Sequence, residues 1–64
     1  MTTATIKAAL KDANVPAWAI FESEGPNGEK EISVSYDELD AYADEAKIKA
    51  MKFIVTDKGL VFTA

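Results

Sequence analysis

Asp37-Glu38-Leu39-Asp40-Ala41-Tyr42-Ala43-Asp44-Glu45 decides how the chain is read. Ser35 and Glu38 have the S-x-x-E spacing of a capping box, in which hydroxyl and carboxylate each satisfy an orphan backbone N–H. Asp37 and Glu38 also suit the positive end of a helix dipole. The spacing therefore predicts a helix starting at Tyr36. Leu39, Tyr42, Ala43, Ala46 and Ala50 continue as one apolar stripe. Lys47 and Lys49 suit the negative pole, while Ile48 falls off the stripe, so the helix should loosen near it. At about 100° per residue, Asp37, Asp40 and Asp44 share the face opposite the stripe, flanked by Glu38 and Glu45. These three aspartates follow one another at roughly 4–6 Å along the axis. That is one to two times the roughly 3.4 Å per-strand charge repeat of DNA.

Upstream, Thr2 or Thr3 can cap a first helix from Ala4 to Ala13, with Ile6, Ala9, Leu10 and Ala13 on one face. Asn14 suits the position just past its end, and Pro16 prevents continuation. Ala17 to Ser23 reads as a strand with Trp18 and Ile20 on one side and Ala17, Ala19 and Phe21 on the other. Glu24-Gly25-Pro26-Asn27-Gly28-Glu29 is turn chemistry. Lys30 to Ser35 alternates Ile32 and Val34 with polar residues, a strand with one wet face. Downstream, Met51 to Thr56 is a third strand. Asp57-Lys58-Gly59 is a three-residue loop with glycine at its left-handed position, and Leu60 to Thr63 returns as a fourth strand. The expected fold is a single α+β domain over residues 1–64. Its order is α-β-β-α-β-β, with an antiparallel sheet of three to four strands and helices on one face.

The 64 residues have a net charge of −4. Residues 22 to 45 hold nine acids and one base, Lys30, a net of −8. The rest holds six lysines against Asp12 and Asp57, a net of +4, which returns the total. Such asymmetry bears on partners and steering rather than on fold. Direct nucleic-acid binding would need the opposite sign. No stretch approaches the roughly 20 apolar residues that span a bilayer, and Lys7 and Lys11 interrupt the one early apolar run. The expectation is a soluble, intracellular, monomeric protein with no membrane partner.

Histidine, cysteine and arginine are absent. Imidazole catalysis, thiol nucleophiles, zinc sites of the usual N/S type and arginine clamps are therefore unavailable. Gly25, Gly28 and Gly59 are turn glycines, not a phosphate loop. Paired carboxylates can hydrolyse glycosides, but only across a cleft, and a chain this short has little room for one. Asp37, Asp40 and Asp44 on a regular helix cannot converge on one calcium ion. The expectation is no enzymatic activity, no metal and no cofactor.

Trp18 has two readings, core packing against a helix or an exposed anchor for a protein partner. Tyr36 and Tyr42 share that ambiguity, with the stripe favouring the core for Tyr42. Phe53 and Phe62 read as core or sheet residues. The partner-binding candidates are Glu22, Glu24, Glu29, Glu31, Asp37, Glu38, Asp40, Asp44, Glu45 and Trp18. Their acids are expected to form one continuous negative face.

A very small, cysteine-free, acidic chain with a hairpin, a capped helix and a further strand resembles phage-encoded inhibitors of host nucleic-acid machinery. Anti-CRISPR proteins acting on type I effector complexes are similar in size and charge. The phage inhibitor of bacterial RNA polymerase has a hairpin-helix-strand order similar to that of Trp18 to Val55, and the resemblance, in size, charge and element order, covers about two thirds of the chain. Its Trp-Ala-x-x-Glu-Ser stretch resembles Trp18-Ala19-Ile20-Phe21-Glu22-Ser23, while the helix from Ala4 to Ala13 departs from it. The resemblance implies a non-enzymatic inhibitor in the cytoplasm of a bacterial host. It would present a DNA-like surface to a basic groove, with a CRISPR effector subunit favoured. The alternative is an interaction module or polymerase inhibitor that docks through Trp18, Phe21 or an open sheet edge.

Overall fold

A computed structural model describes residues 2–64. The first helix, α1 (Thr3–Asp12), is capped by Thr2, whose hydroxyl accepts from the Thr5 N–H at 3.2 Å. Its end is a Schellman closure. Val15 N–H donates to the Leu10 carbonyl at 2.9 Å and Asn14 N–H to that of Lys11 at 3.0 Å. Asn14 takes φ 68, the left-handed conformation that the closure demands. Leu10 and Val15, the pair expected to touch across this motif, are both buried.

The expected strand from Ala17 begins late. Pro16 holds φ at −69, and Ala17–Ala19 instead form a short 3-10 turn. Ala19 N–H donates to the Pro16 carbonyl at 3.0 Å. The turn buries Ala19 and pushes Trp18 outward, so the strand alternation expected there does not occur. Strand β1 is Phe21–Glu24 and β2 is Lys30–Ser35. Between them Gly25 accepts from the Gly28 N–H at 3.0 Å, and Gly28 takes φ 79.

The expected single long helix is two helices, α2 (Tyr36–Tyr42) and α3 (Glu45–Lys49). Ser35 occupies the N-cap position of α2, but its side chain makes no cap hydrogen bond, so the expected capping box does not close. Ser35 is also the last residue of β2 and is held in register with Gly59. Ala43 is extended, with φ −74 and ψ 141, and Asp44 starts α3 afresh.

Strand β3 is only Ile54–Val55, and β4 is Gly59–Thr63. The third strand is shorter than expected because Met51 and Phe53 turn in to pack against the core. The last loop is also tighter than expected. Thr56 N–H donates to the Gly59 carbonyl at 2.8 Å, so Asp57 and Lys58 alone make the turn, and Gly59 belongs to the strand.

The sheet order is β1-β2-β4-β3, with every neighbouring pair antiparallel. This matches the expected α+β class and element order. Ile32, Val34, Leu60 and Phe62 point to one side of the two central strands and are buried with Ile6 and Leu10 of α1 and Ile48 of α3. The register puts Phe21, Ser33, Val61 and Ile54 in one row on the opposite side. Phe21 and Ile54 stay 60% and 57% exposed, so no helix covers that side. No helix among the described residues is long and apolar enough to cross a membrane.

Gly59, with φ 158, meets β2 too closely for a side chain. A Cβ there would overlap the Val34 carbonyl oxygen and lie 2.8 Å from the Ser35 Cα. Because both obstacles are backbone, Gly59→Ala must part the two central strands. The expected loss is about 1–3 kcal/mol or more. It would be read as a lower urea midpoint with an unchanged slope.

Candidate functional site

The structure sorts the acids by their partners. Glu22 holds Lys7 at 2.6 Å, Glu24 holds Lys30 at 2.7 Å and Glu45 holds Lys49 at 2.9 Å. Asp12, outside the acidic segment, meets Lys47 at 3.3 Å. Glu29 turns back on its own hairpin and accepts from the Asn27 N–H at 3.0 Å. Asp37, Glu38 and Asp40 of α2, and Glu31 of β2, make no ion pair among the described residues. Unneutralised charge therefore concentrates on one seven-residue helix.

The pairing partners also move carboxyl acidity. The Lys30 ammonium, by hydrogen bond and then by charge, lowers the Glu24 pKa, and Glu24 raises that of Lys30 in return. Lys49 lowers the Glu45 pKa in the same two ways. A depressed carboxyl pKa adds stability above the unfolded value and loses it as pH falls through the folded one. In a pH series followed by carboxyl NMR, Glu24 and Glu45 should both titrate below ordinary glutamates. These pairs are solvent-exposed, so raised salt should bring both back toward the ordinary value.

The expected single acidic face is not formed. Glu24 and Glu29 stand at the turn end of β2, and Asp37 lies beyond its other end. Six residues of strand separate them, about 20 Å at roughly 3.3 Å each. That is twice the screening length of about 8–10 Å at ordinary ionic strength. Asp44 also leaves the expected helical face. Its side chain caps α3 by accepting from the Ala46 N–H at 3.2 Å. Its own N–H donates to the Ala13 carbonyl at 2.8 Å. Glu31 pairs in register with Ser23 and Thr63, on the uncovered side of the sheet.

Two of the aromatic readings are resolved against the core. Trp18 is 63% and Tyr42 is 51% exposed. Their rings meet edge to face at 5.8 Å and 89°. Tyr42 was expected in the core. It sits outside because α2 ends there, leaving Leu39 and Ala43 as its inward residues. Ala46 and Ala50 are exposed for the same reason, whereas Ile48, expected to point away, is buried. Phe62 is buried and Phe53 packs beside it, ring centroids 5.8 Å apart.

Helix α2 thus has two distinct flanks. At about 100° per residue, Glu38 and Tyr42 share the flank nearer Trp18, and Asp37 and Asp40 share the other. Beside Asp40 the break between α2 and α3 leaves a cleft of about 320 Å³. Tyr36, Leu39, Ile48, Phe53 and Leu60 contribute to its apolar lining, and Asp40, Glu45 and Lys49 stand on it as charged groups. The Tyr36 hydroxyl donates to the Thr56 carbonyl at 2.8 Å, which anchors the start of α2 to the last turn of the sheet. The cleft was not anticipated from the helical stripe, and the off-stripe position of Ile48 was its one visible trace. Of the two readings of Trp18, the exposed one is observed.

No protein-family model, curated protein or solved structure matches the chain.

Asp44 carries the geometry of this surface, so its cap is testable. Asp44→Ala should cost about 1 kcal/mol, with Asp44→Asn restoring most of it. The readout is urea unfolding, together with loss of the α3 amide shifts.

Proposed function

We propose that the chain is a non-enzymatic binding protein that inserts the acidic helix α2 into a basic groove of a nucleic-acid-binding protein and excludes nucleic acid from it. The observation that supports this most is the concentration of Asp37, Glu38 and Asp40 on one helix without a lysine partner among the described residues. Lysines elsewhere hold Glu22, Glu24 and Glu45. Unpaired surface charge speeds encounter with a groove of opposite sign and makes the encounter salt-sensitive. Trp18 and Tyr42 beside α2 add the exposed aromatic area that interface anchors use. Among basic grooves, the resemblance to small acidic phage inhibitors favours the duplex-entry region of a type I CRISPR effector. That reading puts the protein in the cytoplasm of a bacterial host, acting as a monomer.

A second reading rests on the uncovered sheet side, where Phe21 and Ile54 are exposed in one row with Val61. There the partner would dock on apolar surface or on the β1 edge, and the acids would serve solubility.

Salt and charge reversal separate the two. A variant carrying Asp37→Lys, Glu38→Lys and Asp40→Lys should lose binding to a purified type I effector and restore its DNA binding. A Glu22→Gln and Glu24→Gln variant should keep inhibition within about threefold, as expected for weak surface pairs. A folded α2 variant that inhibits as well as the parent sinks the acidic-helix reading. Binding that is flat between low and high salt and is lost in Phe21→Ser favours the sheet.

A further inference from the structure

The cleft between α2 and α3 combines an apolar lining with the carboxylate of Asp40, which has no ion pair among the described residues. We propose that it receives the side chain of a single lysine or arginine from the partner protein and is the anchoring point of the interface; this rests on the acidic-helix reading above. Leu39, Ile48 and Phe53 supply apolar surface of the kind along which cationic side chains lay their methylene stems. Asp40, exposed and without an ion pair among the described residues, stands where the charged head would emerge. Asp37, three residues earlier on the same flank, adds to the negative potential there.

Size and charge select this occupant. At about 320 Å³ the cleft lies at the low end of binding sites, which run from roughly 300 to 1,000 Å³. It is too small for a helix and ample for one extended side chain. A carboxylate or phosphate would meet Asp40 at close range. Lys49 is already held by Glu45 at 2.9 Å, and that pair is 70% and 80% exposed. Exposed i,i+4 pairs contribute only about 0.3–0.5 kcal/mol, so an incoming ammonium can take Glu45 from Lys49 at little cost.

The test titrates the ¹⁵N-labelled protein with N-acetyl tetralysine amide at low salt, with spermidine as a second probe. The largest amide shifts are expected at Leu39, Asp40, Ala43, Ile48 and Phe53. Asp40→Asn, an exposed and isosteric change, should weaken the peptide by about fivefold, and Glu24→Gln should leave it unchanged. Salt-sensitive peptide binding with shifts confined to the Trp18–Tyr42 flank or the hairpin, and with Asp40→Asn equal to the parent, overturns the cleft and leaves the acidic-helix reading standing. Absence of peptide binding to the parent overturns both. Equal affinity and identical shifts for spermidine overturn the assignment to a protein side chain.

Discussion

Leu39 and Ile48 cannot both face inward from one continuous helix. They are nine residues apart, about 180° around the axis at about 100° per residue. Yet Ile48 is buried in the core and Leu39 packs against it. The chain meets this demand by stopping the helix at Ala43 and restarting it at Asp44. The interruption exposes backbone groups that need partners. Ala13, at the end of α1, supplies its carbonyl to the Asp44 N–H, and the Asp44 carboxylate takes the Ala46 N–H. Lys47 then reaches the Asp12 carbonyl at 3.2 Å and its carboxylate at 3.3 Å. The end of one helix and the start of another thus satisfy each other across a large sequence separation.

The same junction produces the surface. Ending α2 at Tyr42 puts that ring outside, where it meets Trp18, and the angle between α2 and α3 leaves the cleft. Ala43 is extended there and Asp44 becomes a cap, so the carboxylate at that position serves the fold. On the sheet side the limiting constraint is backbone approach. Gly59 lets β4 lie against Val34 and Ser35 closely enough to pair. That pairing aligns Leu60 and Phe62 with Val34 and Ile32 under α1. A chain of 64 residues has so few core side chains that each of these alignments matters to stability.

Element order and sheet class were legible because periodicity and turn chemistry acted together. Ile6, Leu10 and Ala13 marked a face that is buried, and Asn14 marked its end. Ile32 and Val34 alternated with polar neighbours, as a strand with one covered side should. What could not be read were features set by long-range contacts, and one local closure that competes with a strand pattern. The helix break depends on the Ala13 carbonyl, thirty-one residues before Asp44. The outward turn of Trp18 depends on local 3-10 closure after Pro16 overriding a strand pattern. The division of the acids depends on lysines such as Lys7, fifteen residues from Glu22. Net charge over a window of sequence does not contain that pairing.

Helix α2 has no basic residue in its seven positions, and this costs stability at Asp40. Asp37 and Glu38 gain from the helix dipole in the first turn. Asp40 lies beyond it and is three residues from Asp37, a spacing at which like charges oppose the helix by about 0.2–0.5 kcal/mol. A lysine at position 41, where Ala41 is exposed, would relieve that repulsion without touching the core. The rest of the chain does provide such relief. Lys30 faces Glu24, Lys47 faces Asp12 and Lys49 faces Glu45. Charge is therefore paired at Glu22, Glu24, Asp12 and Glu45, while the helix that also carries an exposed aromatic neighbour and a cleft keeps three carboxylates without a lysine among the described residues. Like charges held together at a cost to stability are what a surface needs if its compensating cations are to come from another molecule.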